Sequence, residues 1–304
     1  MVGTLAFLAL LVWLDLRGVL HLEDVWAALS RANGWAVALS IALYAPFLIL
    51  KAARWRMLSL DMQMPMGWRD SWRIYAIGLA AGTFTPGQAG DAIKAWYLQR
   101  MGYPLARALG GSVLDRVFDV AALALLGLLG VAVYGRRFAG QTPALVVWVL
   151  VCAALVVFAA WGSTRRWATG LVARRLGRVP SAQGPVEHAA GGQAWSLRPV
   201  TLIGAAALTG LSFATSIFRV WLLAAALGVV LDPLEVSGFV GLTTAAALVP
   251  VTVGGVGTRD AVAALALAQL GRPPAEGIAV SALILLLNFA QAVAGWLVWL
   301  RYRA

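Results

Sequence analysis

Six stretches of this chain are apolar for long enough to cross a bilayer: residues 2–20, 34–57, 106–134, 143–162, 200–230 and 277–300. A spanning helix needs about 20 mostly apolar residues, because the hydrocarbon core is about 30 Å thick and each helical residue rises about 1.5 Å. The first run is the weakest, because Asp15 and Arg17 interrupt it. A water-soluble core cannot absorb six such runs in 304 residues. Charged residues make up 12% of the chain, against roughly a quarter in soluble domains. The polar surface for a soluble globule is missing. The expected fold class is an all-α polytopic membrane protein forming a single membrane domain over residues 1–304. The first run lacks a basic leader and a small-x-small cleavage site, so it reads as a retained helix rather than a signal peptide.

Several functional classes fall away at once. Cys152 is the only cysteine, which excludes a disulfide framework and a cysteine metal cluster. His21 and His188 are too few and too far apart for a histidine site, and no metal or cofactor is expected. No phosphate-binding P-loop, zinc-peptidase or nucleophile-elbow motif occurs, which argues against ATP-driven pumping and against an enzyme. The net charge of +11 would suggest nucleic acid in a soluble chain. In a membrane chain it sets topology and attracts anionic lipid, so no nucleic-acid partner is expected. Arg165, Arg166, Arg174, Arg175, Arg178 and Arg198 crowd the polar loop 163–199, which is assigned to the cytoplasm. Arg301 and Arg303 agree with it, and Arg136 and Arg137 do not. The topology expected is N-in and C-in.

Two shorter apolar stretches, 72–85 and 235–250, each run into a proline and glycines, then into another short helical stretch, 91–101 or 260–270. The breaks are Thr85-Pro86-Gly87-Gln88-Ala89-Gly90 and Val249-Pro250 through Gly254-Gly255-Val256-Gly257. Broken backbone at membrane depth is tolerated only where protein buries it or where it lines a cavity. These read as two re-entrant pairs of half-helices. A shift of 169 residues places Asp91 on Asp260, Gly102 on Gly271, Pro104 on Pro273, Ser112 on Ser281 and Asp119 on Asn288. Arg54 precedes Pro86 by 32 residues and Arg219 precedes Pro250 by 31. The chain thus divides into repeat 1 (about 34–134), a linking span and cytoplasmic loop (about 135–199) and repeat 2 (about 200–300). The extra span makes the second unit run opposite to the first. Such inverted repeats are the plan of many secondary transporters, whose substrate sites lie between broken helices near the midplane.

Charge at membrane depth is costly and usually faces a cavity or a partner. Asp91 is expected to cap the helix after the first break, and Thr258 or Asp260 the helix after the second. Exposed amides and the positive dipole end make such starts anion sites. Lys94 and Arg259 stand beside them, with Arg54 and Arg219 on the preceding spans. A phosphate fits that set, lined also by Pro86, Gly87, Gln88, Gly90, Gly254, Gly255 and Gly257. The alternative is that Asp91 pairs with Lys94 and Arg259 with Asp260. Asp115 and Asp119, four apart, share a helix face beside Arg116. With Asn288 they form a gating or coupling set, or else a plain ion pair.

Taken together, Thr85-Pro86-Gly87-Gln88-Ala89-Gly90-Asp91, Val113-Leu114-Asp115-Arg116-Val117-Phe118-Asp119 and Val249-Pro250 through Gly257-Thr258-Arg259-Asp260 resemble the lysylphosphatidylglycerol synthase transmembrane-region family, also called flippase-like domain proteins. Arg54-Trp55-Arg56 resembles that family's Arg-Trp-Arg. The resemblance implies a bacterial or archaeal cytoplasmic-membrane protein that moves a lipid between leaflets. It is closest to the stand-alone branch without an aminoacyltransferase domain. The implied substrate is a phosphate-containing lipid, such as an aminoacyl-phospholipid or a polyprenyl-phosphate sugar. The implied partners are that lipid, the bilayer and, in an assembly, further copies of the chain. A transporter of a small soluble anion and a membrane-embedded lipid transferase are the alternatives. The family usually has Glu where Asp91, Asp115 and Asp260 stand, and often Arg where Gln88 stands.

Overall fold

The computed structural model describes residues 22–83, 85, 90–135, 197–248 and 255–302. Every element among them is helical: α1 (Leu22–Ser30), α2 (Gly34–Ala42), α3 (Tyr44–Asp61), α4 (Trp68–Thr83), α5 (Ile93–Arg100), α6 (Leu105–Tyr134), α7 (Pro199–Ala226), α8 (Pro233–Leu248), α9 (Thr258–Gln269) and α10 (Pro274–Tyr302). Four spans are long and apolar enough to cross a membrane: Gly34–Asp61, Leu105–Tyr134, Pro199–Ala226 and Pro274–Tyr302. They correspond to four of the six expected. The other two, 2–20 and 143–162, lie outside the described residues, as do most of the loop 163–199 and the break residues Pro86–Ala89 and Val249–Gly254.

Local sequence explains the boundaries. Proline opens α7, α8 and α10, where its missing N–H costs nothing. Asn33 caps α2 by accepting from the amides of Trp35 (3.0 Å) and Ala36 (3.4 Å). The expected single span over 34–57 is interrupted at Leu43. Pro46 lies three residues beyond, and a proline ring collides with the carbonyl four residues back, here Ala42. The short helix α1 was not anticipated from the sequence. It packs on α10 through Val25, Ala275 and Ala279.

Four helices end in the same way, and they come in pairs. After α5, Gly102 (φ 92°) donates to Gln99 O at 3.0 Å and Tyr103 to Leu98 O at 3.1 Å. After α9, Gly271 (φ 75°) donates to Ala268 O at 3.0 Å and Arg272 to Leu267 O at 3.1 Å. These are Schellman ends, which occupy carbonyls the helix leaves open. The ends of α3 and α7 repeat the pattern at Gln63 (φ 56°) and Gly228 (φ 72°).

The packing also pairs. α4 lies on α10, α8 lies on α6, and α3 lies on α7. The α6–α8 and α4–α10 seams need small residues: a Cβ on Gly241 would strike the Leu126 carbonyl, and one on Gly295 the Ala76 carbonyl. Close backbone approach of this kind is how helices associate in lipid, which is as apolar as their side chains. Gly130 meets Gly238 across the α6–α8 seam. One buried apolar cluster gathers Trp55, Met62, Ile74, Tyr75 and Leu98 from α3–α5 and their flanks. Another gathers Val220, Phe239, Ala263, Leu267 and Val280 from α7–α10. Apolar side chains also cover the outside, with Leu125 69% and Ile203 71% exposed, which suits lipid rather than water.

Gln63 is the sole non-glycine with positive φ among the described residues. The left-handed conformation costs an L-residue about 1 kcal/mol. Gln63→Gly is therefore expected to stabilise the protein by about 0.5–1 kcal/mol, and Gly228→Ala to destabilise it by a similar amount. Chemical unfolding in detergent micelles measures both.

Candidate functional site

Helix α3 presents Lys51 and Arg54, three apart, to Asp115 and Asp119, four apart on α6. Both spacings put the pair on one helix face. Arg54 is fully buried. Its Nε donates to Asp115 Oδ1 (2.9 Å), its Nη1 to Asp119 Oδ1 (2.6 Å) and its Nη2 to the Asp115 carbonyl (3.1 Å). Nη1 also reaches Thr209 Oγ1 on α7 at 2.9 Å. Lys51 pairs with Asp119. Because 51 meets 119 while 54 meets 115, α3 and α6 run antiparallel here.

From α5, Lys94 continues the network. Its Nζ lies 3.0 Å from Asp115 Oδ2 and 2.8 Å from Asp91 Oδ2, and 4.2 Å from the centre of the Tyr75 ring. The Tyr75 hydroxyl donates to Asp115 Oδ2 at 3.0 Å. Arg116, 31% exposed at its side chain, donates from Nε to Asp91 Oδ2 at 3.0 Å. The seven groups form an alternating line, Lys51–Asp119–Arg54–Asp115–Lys94–Asp91–Arg116, with a cation at each end and one more positive charge than negative. Gly78 makes room for it, since a Cβ there would fall 2.8 Å from both Asp91 Oδ1 and Lys94 Cγ. Asp91 Oδ1 itself has no hydrogen-bond partner.

The second half carries less charge. Arg259 Nε donates to Ser281 Oγ at 2.7 Å, and the Ser281 hydroxyl donates to Asp260. Arg259 Nη2 stands 3.4 Å from Asp260 Oδ1. Arg219, 2% exposed, has no carboxylate partner among the described residues. Its Nε donates to Ser40 O at 2.8 Å, one of the open carbonyls in the last turn of α2. The Ser40 hydroxyl donates in return to Arg219 O at 3.1 Å. The guanidinium lies 5.8 Å from the Tyr44 ring centre and 5.6 Å from that of Phe47. With its amide oxygen turned toward α7, as two facing donors require, Gln291 accepts from Arg219 Nη2 (3.2 Å) and Nη1 (3.3 Å).

The structure thus brings Arg54, Asp91, Lys94, Asp115, Arg116 and Asp119 together, and sets Arg259 beside Asp260. Two expectations need correction. Asp91 does not cap α5: the capping residue is Ala92, which offers no side-chain bond. The Asp91 carboxylate has gone to Lys94 and Arg116, which offer stronger, charged donors. Nor does Thr258 or Asp260 cap α9. Gly257 (φ 101°) occupies the cap, and Asp260 reaches back to accept from its amide at 2.8 Å. The start of α9 is therefore partly filled by its own acid. Gly255 (φ 75°) turns the chain just before it, and Thr258 Oγ1 lies 3.5 Å from Gly255 O. Gly90 donates to Thr85 Oγ1 at 2.7 Å and packs against the Ala81 carbonyl. Asn288 is half-buried and enters neither network. Pro86, Gly87, Gln88 and Gly254 lie outside the described residues.

Sequence reasoning missed Lys51, Tyr75, Thr209 and Ser281 as members of these networks. Lys51 was visible as a charge inside a span. The other three are ordinary polar residues until the packing is known.

A family model for the lysylphosphatidylglycerol synthase TM region matches residues 1–295. The chain belongs to that family. No curated protein sequence matches it. Membership and the four apolar spans make it a multi-pass membrane protein with a lipid-related role. In this member of the lysylphosphatidylglycerol synthase transmembrane-region family, the Asp115 junction joins α3, α4, α5 and α6.

Removing one partner of a buried ion pair typically costs about 3–5 kcal/mol, because the other charge stays buried without compensation. Asp115→Asn is expected to lower unfolding stability by that amount. Asn288→Ala, at the position aligned with Asp119, should change it by less than about 1 kcal/mol. Parallel unfolding titrations in micelles compare the two.

Proposed function

We propose that the chain is a transbilayer lipid transporter that moves a phosphate-containing lipid between leaflets of a bacterial or archaeal cytoplasmic membrane. The observation that carries this reading is the seven-group line, most of it buried among apolar helices, with one cation in excess. Burying charge is expensive, and an unbalanced positive charge at membrane depth attracts an anion. A lipid phosphate is the anion most abundant beside such a site. The family's link to lipid adds support. Aminoacyl-phospholipids and polyprenyl-phosphate sugars both satisfy the chemistry.

In this reading the two halves are inverted repeats, oriented N-in and C-in. The paired Schellman ends and the reciprocal packing of α4 on α10 and α8 on α6 support it. The helices α4, α5, α8 and α9, of 16, 8, 16 and 12 residues, are each about 12–24 Å long, too short to cross the core unaided. They would re-enter from opposite faces and meet at the polar groups. The headgroup would travel between the halves while the tails stay in lipid. Asp115 and Asp119 would act as a lock, since they tie the first half of α6 to α3 and α5. Rocking one half against the other would give alternating access.

Proteoliposomes test this. Wild-type protein is expected to accelerate transbilayer transfer of a fluorescent anionic phospholipid at least ten-fold over protein-free vesicles. Lys51→Gln removes the excess charge yet leaves Asp119 held by Arg54, and it should slow transfer. Wild-type vesicles no faster than protein-free ones would overturn the proposal.

A further inference from the structure

Resting on the lipid-transport reading, we infer that Arg219, Tyr44 and Gln291 form the subsite that receives the anion, and that its ligand is a phosphate ester with a single negative charge. The seven-group line cannot serve as the first contact, because every cation in it already holds an acid. Arg259 stands beside Asp260. Arg219 is different: it is buried, and the acceptors around its guanidinium are a backbone carbonyl and a neutral amide.

A buried cation with no anion is costly in a low-dielectric setting. The Gln291 oxygen stands at the two terminal nitrogens, where a bidentate oxyanion would bind. It is a weak neutral substitute that an anion displaces. A second observation points to the same ligand. The Tyr44 hydroxyl is buried without any hydrogen-bond partner, on the residue whose ring lies beside Arg219. A phenol that has given up water is left wanting an acceptor. The break between α2 and α3 at Leu43 puts Tyr44 at the first position of α3, beside the Ser40 carbonyl that Arg219 holds.

The charge count sets the ligand class. One guanidinium balances one negative charge. A phosphodiester carries one; a doubly ionised phosphomonoester or free phosphate would bring a second charge that nothing at this subsite neutralises. Phosphodiester lipids are therefore favoured over phosphatidic acid and over inorganic phosphate.

Binding to the full chain in micelles tests this apart from transport. Native mass spectrometry would read dissociation constants for dioctanoyl phosphatidylglycerol, dioctanoyl phosphatidic acid and inorganic phosphate. Wild-type protein should bind the phosphatidylglycerol at least about ten-fold more tightly than the other two. Gln291→Glu places a fixed carboxylate on Arg219, so it should fold as well as wild type and lose the lipid. Tyr44→Phe should weaken binding by about ten-fold, the worth of one hydrogen bond to a charged group. Equal affinity in both variants would overturn the subsite, and inorganic phosphate bound as tightly as the lipid would overturn the ligand class. Either failure leaves the vesicle assay to judge lipid transport by itself.

Discussion

One carboxylate organises the interior of this protein. Asp115 accepts from Arg54 on α3, Lys94 on α5 and Tyr75 on α4, so four helices meet at a single buried anion. In water such a junction would be worth little. Inside an apolar bundle each charge would be ruinous alone and tolerable only in company. The helices are therefore held as much by mutual need of their charges as by apolar packing. Gly78 on α4 leaves the space that the Asp91 and Lys94 side chains fill, since a Cβ there would fall 2.8 Å from each.

The two halves solve the same geometric problem with different chemistry. The helix ends match, from Gln63 and Gly228 to Gly102 and Gly271, and so does the pattern of which helix lies on which. The charges do not match. Asp115 aligns with Ile284 and Lys94 with Ala263, so the first half holds a dense line in which each cation pairs with an acid, while the second keeps a small Arg259–Asp260–Ser281 group and, among the described residues, an Arg219 with no carboxylate partner. In the proposed reading this asymmetry would separate a lock, made of cations already paired with acids, from a landing place at Arg219.

Much of this was legible in the sequence, for identifiable reasons. The spans at 105–134 and 274–302 are announced by Pro104 and Pro273 and by long, mostly apolar runs. The aligned pairs Asp91–Asp260 and Gly102–Gly271 suggested a repeat, and the two glycines close their helices in the same way. Asp115 and Asp119 were readable as one face of one helix. Their partners were not, because periodicity describes a helix from within and is silent about its neighbours. Tyr75 and Thr209 gain meaning only when α4 and α7 arrive beside Arg54. The expected cap at Asp91 failed for a related reason: a carboxylate has other suitors once cations from the same turn or the next helix come within reach. Asp260 missed the cap position because α9 starts at Gly257, whose amide it accepts from within the first turn. Pro46 was an available signal for the break at Leu43, overlooked because the apolar run continues through it.

The central claim is that a lipid headgroup enters between the halves and rests on Arg219. Electron cryo-microscopy of the protein in nanodiscs containing phosphatidylglycerol tests it most directly. The expected result is headgroup density against the Arg219 guanidinium and the Tyr44 hydroxyl, with tail density leading out to the bilayer. Headgroups confined to the two membrane surfaces, with Gln291 still seated on Arg219 and protein filling the space between the halves, would contradict it.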